Sequence, residues 1–95
     1  MIMETATIEI LDGKATEFEA ALEAAKLVLA QAVGFNVLHV HRGIERPNVY
    51  TLAIGWDTLE DHTVGFRESE LFVQWRELIG PFFANPPVVE HWHLF

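Results

Sequence analysis

From Val49 to Trp56 the chain reads VYTLAIGW, and side-chain size alternates along it. Tyr50, Leu52, Ile54 and Trp56 are large, while Val49, Thr51, Ala53 and Gly55 are smaller. Successive side chains of a strand point to opposite faces, so this run reads as a strand with one bulky face and one thin face. The bulky face needs a covering layer, and the thin one lets another body approach closely. Phe35 to Ile44 just upstream reads as a second strand, joined through Glu45-Arg46-Pro47-Asn48. Pro pre-sets its own φ and Asn tolerates a left-handed conformation, which suits a hairpin. The rest of the chain has to supply the cover.

Met1 to Leu11 is rich in Ile and Thr and ends at Asp12-Gly13, a strand followed by a turn. Thr16-Glu17-Phe18-Glu19 has the form of a capping box. Phe18, Leu22, Ala25 and Leu29 then recur at spacings of one helical stripe, and Gly34 stands where a left-handed helix cap is wanted. After the central hairpin, Asp57 or Thr58 caps a short helix through about Phe66. Ser69 caps another, with Leu71, Trp75 and Leu78 on one face, and Gly80-Pro81 stops it. Asn85-Pro86-Pro87 is a stiff connector to a last strand, Val88 to Phe95. The order β-α-β-β-α-α-β, with right-handed crossovers, predicts one α+β domain over residues 1–95. Its antiparallel sheet is ferredoxin-like, in spatial order 4-1-3-2, with helices on one face.

That arrangement leaves the second sheet face bare. Hydrophobic residues make up 51% of a 95-residue chain, more apolar surface than one small interior can hold. A second copy packed face to face, a homodimer, is the economical cover. The net charge is −8 and no basic cluster exceeds two residues, which disfavours nucleic acid and anionic membrane surfaces as partners. There is no cysteine, hence no thiolate nucleophile or Cys-bound zinc, and this fits a cytoplasmic protein. The N-terminus lacks the features of a signal peptide, and no apolar stretch approaches the roughly 20 residues of a membrane span.

Several short features, in order, resemble a known family. They are Gly13-Lys14 before an acidic helix, Gly34-Phe35, Tyr50…Trp56-Asp57, the run His62…Phe66-Arg67…Ser69…Phe72…Trp75, and Val89-Glu90-His91. Together they are similar to the antibiotic biosynthesis monooxygenase domain, a dimeric α/β barrel. The resemblance implies a ligand pocket between the sheet and the middle helices. It also implies one of several activities: cofactor-free oxygenation of aromatic polyketides and quinols, haem degradation, or isomerisation. Aligned on Ser69, the haem branch's ligating His falls on Arg76, its pocket Trp on Phe66 and its first-strand Asn on Ala6, so haem degradation is disfavoured. The expectation is a cofactor-independent monooxygenase using O₂ on a small aromatic substrate, with neither cofactor nor metal. A non-catalytic binding module or an isomerase of the same fold is the alternative.

Among individual residues His62 leads as catalytic base, because it shares a helix face with Phe66 and an ordinary His pKa near 6.5 suits proton removal. A solvated His beside Glu60 and Asp61 is the plainer reading. Phe66, Trp56, Trp75 and Phe72 could wall an aromatic ligand or simply be core. Tyr50 could donate a hydrogen bond to substrate or lie at an interface. Arg67 could stabilise an oxyanion, but it is next to Phe66 and is expected to face elsewhere, in an ion pair with Glu68, Glu70 or another acid. His39/His41 and His91/His93 are His-x-His pairs on the second and fourth strands, the two edges of the sheet. Across a face-to-face dimer they could meet at the seam, as ordinary packing residues, as a cluster that loosens the dimer on protonation or, least favoured, as a metal-chelating set.

Overall fold

The computed structural model covers residues 1–95. Strands β1 (Ile2–Glu9), β2 (Phe35–Arg42), β3 (Val49–Trp56) and β4 (Val88–His93) form one antiparallel sheet in the order β2-β3-β1-β4. This is the ferredoxin-like topology expected from the sequence. Helices α1 (Ala15–Leu29) and α2 (Glu70–Ile79) lie on one face, with a π-helical turn (Asp61–Phe66) leading into α2 and a short 3₁₀ turn (Gly80–Phe82) leaving it. No helix is long and apolar enough to cross a membrane.

The large residues of β3 do what their alternation predicts. Tyr50, Leu52, Ile54 and Trp56 are buried beneath the helices together with Ala6 and Ile8 of β1 and with Ile10 just beyond it. The α1 stripe Phe18, Leu22, Ala25 and Leu29 seals that layer. Truncating one of these leucines to Ala would cost about 2–5 kcal/mol, because the cavity adds to the lost transfer energy. The opposite face carries Thr5 and Thr7 of β1, Thr51, Ala53 and Gly55 of β3, and Trp92 and Val88 of β4; the two β4 residues are more than half exposed.

Local signals were partly misplaced. Helix α1 begins one residue before Thr16, after Lys14, and no side chain caps it, so the expected capping box does not form. Thr16 is already inside the helix. Gly34 does take a left-handed φ of 82°, but it closes the turn into β2 rather than the helix itself, which ends at Leu29. A Cβ at Gly34 would overlap the Asp61 carboxylate, so glycine serves both the backbone conformation and the close approach. Thr58 behaves as expected, its Oγ1 accepting the Asp61 N–H at 3.1 Å. Ser69 precedes α2, yet its hydroxyl donates to the Phe66 carbonyl (2.7 Å) instead of capping.

Candidate functional site

A cleft of about 670 Å³ opens between the sheet and the segment running from the π-turn through α2 to Pro87. That size suits a small organic ligand. Ala6, Ile8, Leu52, Ile54 and Val89 form its sheet side, and Phe66, Phe72 and Trp75 present aromatic walls. Phe66 meets Phe72 and Trp75 edge to face, at centroid distances of 5.6 and 6.3 Å, so the rings brace one another.

At one end of this apolar space sit two buried ionisable residues, Glu4 (5% exposed) and His62 (3% exposed). His62 Nε2 lies 3.3 Å from Glu4 Oε1, and Trp56 Nε1–H donates to the same oxygen at 3.0 Å. The Trp56 indole also stacks on the His62 ring, with centroids 5.2 Å apart and planes 20° apart. On its other side, His62 Nδ1 is 2.8 Å from His91 Nε2. The imidazole is thus held by a carboxylate, an indole and a second imidazole, far from the solvated position that was its plainer reading.

Burial shapes the protonation of this group. Desolvation raises the Glu4 pKa against the lowering effects of the Trp56 hydrogen bond and of Arg67. Desolvation likewise lowers His62, to about 4, with the charges of Arg67 and His91 adding to the effect. His91 is lowered by its own burial and by Arg67. Both directions oppose separated charges, so Glu4 and His62 form a proton-sharing pair more than a strong ion pair. Burial raises the proton affinity of the carboxyl and lowers that of the imidazole, so neither holds its charge as readily as it would in water.

Arg67 departs from its expected place. It lines the cleft and takes part in none of the protein's ion pairs. The cause is the winding of the preceding turn, where the Arg67 N–H bonds to the His62 carbonyl five residues back (3.1 Å). An i→i+5 turn holds more residues than an α-turn and brings residue 67 around toward the face of residue 62. Arg76 also lines the cleft, 5.9 Å from the Phe72 ring centroid.

The other expected residues separate. Trp56 does not line the cleft; it stands behind His62 and orients it. Tyr50 lies under α1 instead of in the cleft, its ring 4.8 Å from Phe18 and its hydroxyl donating to Glu19 at 2.5 Å. The four-histidine seam is also corrected. His39 and His41 pair with Ala53 and Thr51 on the open face, whereas His91 pairs with Glu4 and His93 with Ile2, both facing the helices. The two pairs therefore look to opposite sides of the sheet. Glu4 was overlooked, although it shares the strand parity of Ala6, Ile8 and Ile10, and an acid on a core face is a legible signal.

The family model for antibiotic biosynthesis monooxygenase matches residues 1–78, spanning β1 through nearly all of α2. The chain belongs to the antibiotic biosynthesis monooxygenase family. Among its relatives, the uncharacterized protein YczJ of Bacillus subtilis (strain 168) is 35% identical over 91 residues, 96% of each chain. A proposed antibiotic biosynthesis monooxygenase of Bordetella bronchiseptica has a crystal structure that superposes with a TM-score of 0.96 at 39% identity, covering 99% of this chain and 96% of that one. SnoaB of Streptomyces nogalater, a cofactor-independent oxygenase solved as a point mutant, shares the fold. Its TM-score is 0.81 at 12% identity, with 98% of this chain and 91% of that one covered.

Proposed function

We propose that this member of the family is a cofactor-independent monooxygenase acting on a small hydroxylated aromatic or quinol-type molecule. The chain over residues 1–95 would act as one such domain, with Phe66, Phe72 and Trp75 holding the ring. The observation that carries the reading is the Glu4–His62 pair buried at the end of an aromatic-walled cleft, with the unpaired guanidinium of Arg67 beside it. Without a cofactor, the substrate itself supplies the electrons to O₂, and it does so after losing a proton. On an anthrone-type ring a CH₂ becomes C=O, one oxygen atom entering the ring and the other leaving as water.

His62 assists that proton removal, but not alone. A phenol titrates near 10, and transfer to an imidazole at about 4 is uphill by about 8 kcal/mol. The Glu4 carboxylate at 3.3 Å stabilises the imidazolium when it is ionised, and Arg67 on the cleft wall stabilises the oxyanion, which together offset part of the gap. Oxygen uptake with a panel of quinols and anthrones tests the reading. Uptake with a ligand that binds, lost in His62→Gln, is the expected result. Tight binding without uptake by any of them would leave a binding module, or an isomerase using the same pair, in its place.

We also propose that a second copy of the chain covers the open sheet face. Trp92 (52% exposed), Val88 (58%) and Leu94 (66%) lie on or beside that face of β4, an apolar strip that a lone subunit leaves in water.

A further inference from the structure

The cleft pair has a connection leading away from the cleft. Glu4 and His62 line the cleft, whereas His91 does not. His91 sits on β4, an edge strand, directly across from Glu4 in the β1–β4 register. Its Nε2 meets His62 Nδ1 at 2.8 Å, and its Nδ1 bonds to no protein group. No buried side-chain nitrogen or oxygen in the protein lacks a partner, so this free Nδ1 reaches solvent. The three residues form one file, carboxylate to imidazole to imidazole, with its inner end at the cleft and its outer end at the sheet edge.

We propose that His91 is the outer member of a proton relay, passing protons between the Glu4–His62 pair and solvent. The inference rests on the acid–base reading of that pair given above. A proton taken from the ligand arrives at His62 Nε2, directly or by way of Glu4, while the Nδ1–H of His62 passes to His91 Nε2. His91 then releases its own Nδ1–H to water. One N–H bond forms and one breaks at each ring, and the net charge of the file is unchanged. The rings are left in the opposite tautomers, from which the same steps run backwards. A reaction that first removes a proton and later returns one to a reduced oxygen atom resets the file within one turnover.

A merely structural His91 would need only one nitrogen, to hold His62 in a chosen tautomer. The relay needs both, and the fold leaves the second one free. Burial, and then the charge of Arg67, oppose a positive charge on either ring, so an imidazolium in the file is short-lived and the proton is passed on instead of stored.

The test follows the proton apart from oxygenation. Anthrone deuterated at its methylene carbon is incubated anaerobically with the protein, and wash-out of the label above the buffer rate is followed. His91→Gln keeps a hydrogen bond to His62 but has no second ring nitrogen. It is expected to bind anthrone with an unchanged Kd, to exchange roughly tenfold to a hundredfold more slowly, and to recover with added imidazole. Exchange at the wild-type rate in His91→Gln would overturn the relay. So would the absence, in the free wild-type protein, of a through-hydrogen-bond coupling between the isotope-labelled ring nitrogens of His62 and His91. Wild-type protein that binds anthrone without exchanging its label defeats the acid–base reading and the relay with it. Exchange without oxygen uptake under air defeats the oxygenase reading alone.

Discussion

The burial of His62 makes the stability of the fold depend on pH. Its pKa is about 4 in the folded protein against 6.5 for the free side chain, so between these values the unfolded chain binds the extra proton. Stability is therefore full above about pH 6.5 and is lost as the pH falls toward 4. Integrating the two titrations from about pH 7.5 down to about pH 5 gives a loss of about 2 kcal/mol attributable to this one group. Glu4 acts in the opposite sense, because its pKa is raised and the folded state takes up its proton first as the pH drops. A comparison with His62→Gln, which keeps Glu4, Arg67 and His91 but cannot titrate at position 62, removes most of that background. Urea denaturation of both proteins at the two pH values is the assay. Wild type should lose about 2 kcal/mol more than the variant. Equal losses would mean that His62 charges freely in the folded protein, held as a true ion pair by Glu4, and the account of a His62 kept uncharged by burial would be wrong.

Three further perturbations test other parts of the structure. Tyr50 is the only tyrosine of the chain, and burial with the Glu19 contact pushes its pKa up to about 12; an ultraviolet titration of the folded protein should show no phenolate absorbance near pH 10, where a free tyrosine is half ionised. Gly34→Ala should cost about 1–3 kcal/mol in chemical denaturation, since a left-handed φ is strained for alanine and its methyl group meets Asp61; a cost below about 0.5 kcal/mol would show that the turn relaxes freely. Light scattering should give the mass of two chains for the wild type and a shift toward one for Trp92→Glu, which buries a charge in the proposed subunit contact; a wild-type mass of one chain would remove that contact.

Much of the fold could be read along the chain because the signals were local and periodic. The β3 alternation identified the buried face, the α1 stripe identified its cover, and the order of elements left one economical topology. Signals that depend on a single residue transferred less well. Thr16 sits two residues past the cap position at Lys14, because α1 starts as soon as the Asp12-Gly13 turn allows. Ser69 spends its hydroxyl on the preceding turn.

The sequence by itself determined the scaffold and singled out His62 together with the aromatic walls, because strand parity and helical spacing are properties of neighbouring residues. Tertiary structure alone decided what His62 is bound to. Glu4 and His91 lie 58 and 29 residues from it in the chain and meet only because β1 pairs with β4 while the π-turn lies over both. It also decided where Arg67 points, since one extra residue wound into a helical turn rotates everything after it. Burial then set the charge: a histidine ordinary in sequence becomes a reluctant base because the fold withdraws the water that would have solvated its proton.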